Sequence, residues 1–524
     1  MFAKASTAGL FGIDGFSAEV EADIQNGIPG LYLTGAIAPE IREAQYRIWN
    51  ALKNSGIRIE PKKITVNISP ASLKKHGTHY DLPIAAAILA GTGVLGSGVL
   101  ADSGFLGELG LDGRLKPVRG VLPLSIRLNQ DSVKRIFVPY ENAREAALIE
   151  GLTIIGVKRL GDMIDFLNSS RINEGITMLK GPLYPSINDG PYCSTQGQDV
   201  DFSDVRGQEY LKRAAEIAVS GHHNILFTGP AGTGKTMIAK RMATILPPLS
   251  RSEDLKISQI YSILGLLPED RPLLSKRPFR SPHNCISEAA FSGGGASALP
   301  GELSLASGGI LFLDELPLFK RNVLETLRQP LEERKITVSR MNISCTYPAD
   351  FILAAAMNPC ACGFYPDRSK CSCSPAQIKA YTGRLSKPLL DRIDICAAAR
   401  PSELSELKQN SKPAESSSDI RKRVEKARLI QAERFKNSSG ILFNGQMGIQ
   451  EIEKFCHLES REAALAEDIF VKRGLSLRTY HKMLKIARTI ADMDGSLRIL
   501  PHHILEAAEL KAGSEAFSGA AIKY

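Results

Sequence analysis

The pattern of hydrophobic and polar positions divides the chain into regions with different periodicities. Residues 1–168 alternate short apolar runs, such as residues 63–68, with stretches of helical periodicity, which predicts a mixed domain of strands and helices. Residues 205–400 repeat a strand–helix order, which predicts a parallel sheet with helices on both faces. Residues 401–524 show helical periodicity only, whereas residues 169–204 are rich in Gly, Pro, Ser and Asn and are predicted to be a linker.

A glycine-rich loop interrupts this pattern early in the strand–helix region. Residues 229–236 read GPAGTGKT, between an apolar run at residues 224–227 and a helical pattern that begins at Met237. In such a loop, backbone amides curl around phosphates, Lys235 brings charge to the outer phosphates, and Thr236 offers a hydroxyl to Mg²⁺. The predicted nucleotide contacts are Gly229, Pro230, Ala231, Gly232, Thr233, Gly234, Lys235 and Thr236.

A second apolar run, at residues 310–313, ends in two carboxylates. Asp314 is expected to hold Mg²⁺ together with Thr236, and Glu315 to polarise a water molecule for attack on the γ-phosphate. The two motifs, in this order and each at the end of a predicted strand, indicate ATP hydrolysis with ATP and Mg²⁺ as cofactors, rather than an ordinary glycine-rich turn.

Three further polar residues fit the chemistry of an ATP-driven motor. Asn358 ends an apolar run and is predicted to orient the attacking water; a turn residue before proline is the alternative. Arg392 lies between two acids ahead of an apolar strand, where a local ion pair is the alternative. Arg478 stands in the first turn of a helix with Ser476 as N-cap, where a cation is unfavourable unless it faces an anion, so we predict a phosphate contact.

These motifs, in this order, resemble the AAA+ ATPases of the magnesium-chelatase-like branch, more specifically the YifB/ComM family. The resemblance covers nearly the whole chain and implies an α/β P-loop ATPase core at residues 205–400, followed by a helical lid. By resemblance, Arg392 matches the arginine finger, with Arg384 as the runner-up, and Arg478 matches the second sensor. A finger completes the ATP site of the next subunit, so a homo-hexamer promoted by ATP and DNA is implied. Further stretches that carry the resemblance are residues 277–283, 300–306, 327–332 and 487–492.

The first 168 residues resemble the Lon-protease domain, an α+β fold similar to ribosomal S5 domain 2, but they depart from it at the catalytic dyad. His79 stands where the nucleophilic serine is expected, and Leu122 and Leu124 stand at the two positions where a lysine is expected. A Ser–Lys dyad cannot form from these residues. We therefore predict a Lon-like fold without peptidase activity.

Four cysteines form two Cys-x-Cys pairs in an insertion at residues 360–373: Cys360, Cys362, Cys371 and Cys373. Four thiolates close a tetrahedral site for Zn²⁺, and such a closed site is structural rather than catalytic. The loop between the pairs is too short and polar to build a core of its own, so the metal would stabilise it. Free thiols or a redox pair are the alternative.

Two insertions into the ATPase core carry basic residues that are candidates for DNA contacts. Residues 333–345 are predicted to form a β-hairpin with residues 340–342 at its tip, and residues 274–300 form the second insertion. Basic side chains on such loops suit sequence-independent contact with phosphates, although a solvated basic edge is the alternative. The predicted DNA contacts are Lys335, Arg340, Lys276, Arg277 and Arg280.

The family resemblance implies a hexameric DNA helicase that drives branch migration while incoming single strands are integrated in natural transformation. Its implied partners are single-stranded and branched DNA, including recombinase-coated DNA. The alternatives are a magnesium-chelatase-like motor that remodels a protein partner, and a scaffold that binds ATP without appreciable hydrolysis. The net charge of +9 favours an anionic partner only weakly.

We expect the chain to work in the cytoplasm without a membrane span. The first residues lack the pattern of a secretion signal, and nine cysteines, an odd number, suit a reducing compartment. The uncharged stretch at residues 82–101 contains glycines, a proline and a serine, and therefore predicts a buried helix plus a loop.

Overall fold

A computed structural model describes residues 1–96, 98–182, 200–268, 272–295, 298–340, 343–365, 367–399, 414–438 and 440–512. Its strands are β1 Phe2–Phe11, β2 Asp14–Gln25, β3 Gly30–Thr34, β4 Lys63–Ser69, β5 Ser103–Phe105, β6 Glu108–Leu109, β7 Leu115–Lys116, β8 Arg135–Pro139, β9 Thr153–Val157, β10 Ile176–Lys180, β11 Ile225–Thr228, β12 Phe279–Arg280, β13 Gly293–Gly294, β14 Leu299–Pro300, β15 Ile310–Leu313, β16 Lys335–Arg340, β17 Ile343–Pro348, β18 Ile352–Met357 and β19 Ile395–Ala398.

The helices in the same residues are α1 Pro39–Arg42, α2 Ala44–Asn54, α3 Asp81–Gly91, α4 Val121–Gln130, α5 Ala143–Ala146, α6 Leu160–Ser169, α7 Glu209–Gly221, α8 Lys235–Met242, α9 Arg251–Leu264, α10 Glu288–Ser292, α11 Glu302–Leu305, α12 Arg321–Glu325, α13 Arg328–Glu333, α14 Pro375–Thr382, α15 Lys387–Leu390, α16 Ser417–Phe435, α17 Ile449–Phe455, α18 Ser460–Arg473, α19 Leu477–Met493 and α20 Pro501–Ala512. Within the described ranges, none of them is both long and apolar enough to cross a membrane.

The N-terminal region is built on a mixed eight-stranded sheet with the order β10-β9-β8-β5-β1-β2-β4-β3. The long hairpin of β1 and β2 lies near its middle, and helix α3, which is apolar on all sides, packs on it and is almost completely buried. Strand β10 pairs with β9 and so extends this sheet beyond residue 168, where the sequence pattern placed the start of a linker. The predicted boundary is therefore too early, and residues 183–199 of that predicted linker lie outside the described residues.

The end of the predicted linker also belongs to a folded region. Phe202 is buried in the core of the ATPase region. Asp201 accepts hydrogen bonds from the backbone of Ser417, and its carbonyl accepts one from Arg241. Residues 201–204 therefore belong to the ATPase core and are not part of a free linker.

The three positions at which the sequence comparison expected a Ser–Lys dyad are buried. His79 Nε2 lies 3.0 Å from the carbonyl oxygen of Ala8, and burial lowers the pKa of His79 to about 4. Leu122 and Leu124 are buried on α4. His79 is therefore a neutral core residue at physiological pH, and these positions serve packing.

The ATPase region contains a five-stranded sheet with the order β12-β15-β18-β11-β19, in which every pair of neighbours is parallel. Its three central strands are completely buried, which explains why they are continuous apolar runs instead of alternating ones. This confirms the predicted α/β class with a parallel sheet. Because the strands run the same way, the sheet has a carboxyl edge, where the strands end, and an amino edge, where they begin.

The N-terminal region is fixed to the ATPase region along α9. The backbone N–H of Gly120 donates to the carbonyl of Ser262 at 3.0 Å. The hydroxyl of Ser262 donates to the carboxylate of Glu145 at 2.5 Å, and the N–H of Leu122 donates to the same oxygen at 3.0 Å. Burial raises the pKa of Glu145, while these donors oppose the shift.

The helical lid at the C-terminal end docks on the amino edge of the parallel sheet. Its helices are held together around the buried Asp492, which binds both Arg434 and Arg488 and accepts a hydrogen bond from Asn444. Helix α19 reaches the sheet through Lys482, whose ammonium lies 2.7 Å from the carboxylate of Asp394, just before β19.

The pair between Lys482 and Asp394 is shielded, since each side chain is only 12% exposed. Burial opposes ionisation of Asp394, but the charges of Lys482 and His223 outweigh it and hold the pKa of Asp394 far below its usual range. The carboxylate is therefore ionised at any physiological pH, and it also accepts a hydrogen bond from the backbone of Asn224 at 3.0 Å.

We expect the substitution Asp394→Asn to lower the free energy of unfolding by about 3 to 5 kcal/mol, because it leaves Lys482 charged and buried without its partner. Urea denaturation followed by circular dichroism measures the loss. The matched control is Asp468→Asn, which removes an exposed pair with Lys472 and should cost less than about 1 kcal/mol. Equal losses for the two variants would contradict the anchoring role.

Candidate active site

The phosphate-binding loop connects the end of β11 to the start of α8. Gly232 and Gly234 adopt φ angles of 79° and 82°, a left-handed conformation that glycine accepts without strain. Because α8 begins at Lys235, its first backbone N–H groups have no partner within the helix and face the loop. The loop is therefore a preformed anion site at the carboxyl edge of the sheet.

The side chain of Lys235 bends back over this loop. Its ammonium donates to the carbonyls of Gly229 and Pro230 at 2.7 and 2.6 Å, and to Asn358 Oδ1 at 3.3 Å. Burial lowers the pKa of Lys235, and the nearby carboxylate of Asp314 partly restores it. A bound phosphate offers the ammonium stronger acceptors than these carbonyls.

Thr236 and Asp314 meet where the two motifs come together. The hydroxyl of Thr236 donates to Asp314 Oδ2 at 2.8 Å, so the two predicted Mg²⁺ ligands are already adjacent. Asp314 Oδ1 accepts a hydrogen bond from the backbone N–H of Glu315 at 3.0 Å. Both oxygens are hard ligands of the kind Mg²⁺ prefers, so the pair suits this ion.

Glu315 has a backbone conformation that is rare for a residue with a side chain. Its φ angle is 50°, and it begins the short turn Leu316–Leu318 directly after β15. The side chain is exposed at the carboxyl edge. Strained backbone at such a position is typical of functional sites, and it suits the predicted role of Glu315 in polarising water.

Asn358 follows the end of β18, between the strands that carry the two motifs. Its contact with Lys235 places the amide at the phosphate site, as the predicted sensor role requires. The sequence therefore assembles Lys235, Thr236, Asp314, Glu315 and Asn358 at one edge, through the ends of three adjacent strands.

Arg392 and Arg478 lie at the opposite, amino edge of the sheet. The carbonyl of Arg392 accepts a hydrogen bond from the side chain of Asn224, the residue just before β11. Its guanidinium binds Glu332 with Nη2 at 2.8 Å from Oε2, and Arg478 binds the other oxygen of the same carboxylate. Burial disfavours ionised Glu332, but the two guanidiniums outweigh it and lower the pKa of Glu332.

The anion that Arg478 faces is therefore Glu332, not a phosphate on its own loop. Ser476 caps α19 as predicted, accepting a hydrogen bond from the N–H of Thr479 at 3.2 Å. Glu332 was not among the site residues predicted from the sequence, although it belongs to the run of residues 327–332 that carries the family resemblance. Arg384, the runner-up for the finger, is exposed in the segment between α14 and α15.

The four cysteines of the insertion converge. The Sγ atom of Cys360 lies 3.3 Å from that of Cys362 and 3.8 Å from that of Cys371, and Cys373 completes the group. A tetrahedral zinc ion with Zn–S bonds of about 2.3 Å requires S–S distances of about 3.8 Å, so the cluster is compatible with Zn²⁺. A hydrogen bond from the backbone of Phe364 leads the effects that lower the pKa of Cys362 to about 6, which favours its thiolate, whereas burial raises the pKa of Cys371 to about 11.

This cysteine loop lies against the ATP site. A side-chain atom added at Gly363 would lie 3.7 Å from the backbone nitrogen of Ala231 and 3.8 Å from the amide carbon of Asn358. Cys360 is only one proline away from Asn358 along the chain. The short spacing was visible in the sequence, but the contact with the phosphate-binding loop was not.

Two of the predicted DNA contacts are occupied by other partners. The side chain of Arg277 is only 8% exposed and binds Glu253 and the carbonyls of Pro247 and Gly308, so it holds α9 to the sheet and is not available to DNA. Arg280 forms a two-pronged pair with Glu302 at 2.6 and 2.7 Å. The prediction that Arg277 contacts DNA is therefore wrong, because its side chain points inward and pairs with Glu253.

Two of the other three predicted DNA contacts, Lys276 and Lys335, are accessible. Lys276 and Lys335 are exposed, and Lys335 has only a distant pair with Glu333 at 3.8 Å. The predicted hairpin is formed by β16 and β17, whose registry pairs Arg340 with Ile343. Met341 and Asn342 at its tip lie outside the described residues, and the side chain of Arg340 is not described either.

The two predicted insertions touch each other at the base of the hairpin. The hydroxyl of Tyr347 donates to the carbonyl of Ala298 at 2.8 Å, and Val338 packs close to Gly293. The hairpin is therefore supported by the second insertion, which places Lys276 and Lys335 on connected elements.

Comparison with known proteins matches three family profiles to the chain in order. Profiles described as "Subunit ChlI of Mg-chelatase", "Magnesium chelatase, subunit ChlI" and "Magnesium chelatase, subunit ChlI C-terminal" match residues 20–142, 201–407 and 414–511. Competence protein ComM of Haemophilus influenzae is 39% identical over 94% of this chain and 94% of its own length. YifB of Salmonella typhimurium is 39% identical over 97% of this chain and 96% of its own length.

The chain belongs to the YifB/ComM family of magnesium-chelatase-like AAA+ ATPases. For this family member, the profiles imply ATP hydrolysis, in agreement with the geometry at the carboxyl edge. The magnesium-chelatase 38 kDa subunit of Rhodobacter capsulatus is a more distant relative, 27% identical over 30% of this chain and 50% of its own length.

We expect Lys235→Ala to reduce ATP hydrolysis by about 100-fold or more, because the outer phosphates lose their buried cation. Glu315→Gln should abolish turnover to a similar degree but retain ATP binding, since the phosphate contacts stay intact. Phosphate release and binding of a fluorescent ATP analogue separate the two effects. Lys240→Ala, at an exposed position on the same helix, is the control, and a similar loss there would contradict the assignment.

Proposed function

We propose that this YifB/ComM family member is an ATP-driven DNA motor that works as a homo-hexameric ring in the cytoplasm and drives branch migration of recombination intermediates. The observation that carries the proposal is the position of Arg392 and Arg478. They meet at the amino edge of the parallel sheet, whereas the chain's own phosphate-binding loop lies at the carboxyl edge.

This separation supports a ring. A guanidinium anchored at the amino edge completes an ATP site only when the carboxyl edge of a neighbouring subunit faces it. Repetition of one such head-to-tail contact gives a ring when the rotation between subunits closes, and six subunits are the number that the family resemblance implies. In the proposed ring, Arg392 is the finger and Arg478 the second sensor, and both serve the neighbour's ATP. Lon-like N-terminal domains would form a second tier.

DNA as the substrate is supported by three features. The relative from Haemophilus is named a competence protein, and competence concerns the uptake of DNA. The exposed Lys276 and Lys335 lie on two insertions that support each other at the hairpin base. The hairpin follows β15 and precedes β18, the strands that lead to Asp314 and Asn358, so it is well placed to respond to nucleotide. Single-stranded and branched DNA, including recombinase-coated strands, are the proposed partners.

A magnesium-chelatase-like motor that remodels a protein partner is the second candidate. It is favoured by the profile match at residues 20–142, which carries the name of the chelatase subunit. The N-terminal region therefore does not separate the two functions, and the response of the ATPase to DNA has to do so. The complete set of Glu315, Asn358 and Arg392 argues against a scaffold that barely hydrolyses ATP.

The four-cysteine cluster is proposed to hold one structural Zn²⁺ through Cys360, Cys362, Cys371 and Cys373. A closed site of four thiolates leaves no position for substrate, so the metal would supply folding energy to the loop and no chemistry. Since Gly363 of this loop lies next to the ATP site, we expect the folding of the loop to support the positions of Ala231 and Asn358.

We expect the purified protein to contain about one zinc ion per chain and Cys371→Ser to contain almost none. ATP hydrolysis should fall several-fold in the variant, because the loop against the phosphate-binding loop loses its cross-link. Elemental analysis by mass spectrometry measures the metal. Cys285→Ser, at an exposed cysteine outside the cluster, is the control. A wild-type protein that neither contains nor binds Zn²⁺ would refute the site.

The decisive test of function is ATP hydrolysis with and without single-stranded DNA and a three-way junction. We expect several-fold stimulation by DNA, weakening as salt rises, together with strand exchange at the junction. Glu315→Gln provides the blank. An ATPase that ignores every DNA would reject the motor and favour a protein partner.

A further inference from the structure

Glu332 occupies the space between the two arginines at the amino edge. Arg392 is only 12% exposed, so its guanidinium faces the protein and the carboxylate rather than water. Its Nη1 donates to the carbonyl of Pro388 at 2.6 Å, and its Nη2 donates to Glu332. Its third donor, Nε, is buried and has no hydrogen-bond partner among the described residues.

An unpaired, buried guanidinium N–H is costly, and such groups are normally satisfied in the working form of a protein. The arrangement at Arg392 therefore points to an acceptor that a partner brings. A terminal phosphate has three oxygens and more charge than a carboxylate, so it offers acceptors to Arg392 and Arg478 together. Glu332, with a single carboxylate, covers only part of this site.

The surroundings favour an anion as well. The cavity in front of the pair has a volume of about 700 Å³ and is lined by both arginines and by Arg334, His481, Lys482 and Lys485. Glu332, Asp350 and Asp394 are the acidic residues that line it. Asp394 is paired with Lys482 and Asp350 with His222, so Glu332 is the acid that stands over the two arginines.

We propose that Glu332 is an internal stand-in for the terminal phosphate of the neighbouring subunit's ATP, and that this phosphate displaces it when the ring forms. The inference rests on the proposed ring and adds a switch to it. In the isolated chain the finger and the second sensor are both held by Glu332. When ATP arrives from the neighbour, the carboxylate leaves, and both arginines turn to the phosphate.

The carboxylate can leave Arg478 at low cost, and it can leave the shielded Arg392 once a phosphate takes its place there. The side chains of Glu332 and Arg478 are 44% and 48% exposed, and ion pairs this open to solvent are weak. Glu332 also lies at the last turn of α13, on a side chain with several rotatable bonds. Once released, the carboxylate is solvated directly.

Displacement of Glu332 has a direct path to the hairpin. Strand β16 begins three residues later, at Lys335. The residue directly before this strand, Arg334, caps the end of α13 in a left-handed conformation with φ of 56° and donates to the carbonyl of Gly440 in the lid at 3.1 Å. Movement of the last turn of α13 therefore changes the base of β16, so the hairpin of one subunit senses the nucleotide of the next.

The substitution Glu332→Gln tests the switch, because it removes the charge and keeps the size. We expect ATP hydrolysis without DNA to rise about three- to tenfold, and rings to assemble at lower ATP concentration, because the arginines are already free. The urea midpoint should fall only slightly, because the glutamine amide oxygen still accepts a hydrogen bond from the shielded Arg392. The matched control is Glu333→Gln, which removes the neighbouring charge without touching either arginine and should leave DNA-free hydrolysis unchanged.

A mixing experiment separates this inference from the ring itself. Arg392→Ala subunits bind ATP but lack the finger, whereas Glu315→Gln subunits keep the finger but cannot hydrolyse. Hydrolysis in the mixture therefore reports fingers that act across the interface. Donors that carry both Glu315→Gln and Glu332→Gln should raise this hydrolysis above that with Glu315→Gln donors.

The outcomes of the mixture are distinct. If co-assembled subunits show no hydrolysis with either donor, the ring site completed by Arg392 is wrong. If hydrolysis appears but the Glu332→Gln donor gives an equal or lower rate, the ring stands and the stand-in role of Glu332 is overturned.

Discussion

The parallel direction of five strands is the constraint on which the rest of the structure depends. Because β12, β15, β18, β11 and β19 run the same way, groups that follow a strand collect at one edge and groups that precede a strand collect at the other. Lys235, Asp314 and Asn358 belong to the first set, and Arg392 belongs to the second. One subunit therefore carries its phosphate-binding residues and the proposed finger on opposite edges of the sheet and cannot bring them together by itself.

The parts that could be predicted from sequence are those whose chemistry is local. The phosphate-binding loop, Asp314 and Asn358 each follow an apolar run directly, so strand order alone brings them together. The partners of Arg277 and Arg478 could not be predicted, because Glu253 and Glu332 are distant in sequence and a charged residue does not reveal which partner it meets. Strand β10 was not predicted either, because a helix and a polar turn separate it in sequence from β9, the strand with which it pairs.

The hairpin is the place where the regions of the molecule meet. Its base packs on the second insertion through Tyr347 and Ala298, and Gly12, in the turn between β1 and β2, lies against Cys345 on β17. The N-terminal region is itself held to α9 through the buried Glu145. A movement of the hairpin therefore has to be accommodated at two supports, which favours a shift of the whole element over bending of a free loop.

The path from Asn358 to Arg392 explains why a metal would be useful at residues 360–373. This segment leaves the carboxyl edge beside the phosphate-binding loop, passes through the four cysteines and helix α14, and ends at the amino edge beside Glu332. It is thus the covalent route between the phosphate-binding site and Arg392, the proposed finger. A short polar loop cannot stay rigid by burying a core, whereas four thiolates on one ion fix its shape. Without such a cross-link, a change at Asn358 would be lost within the loop before it reached Arg392.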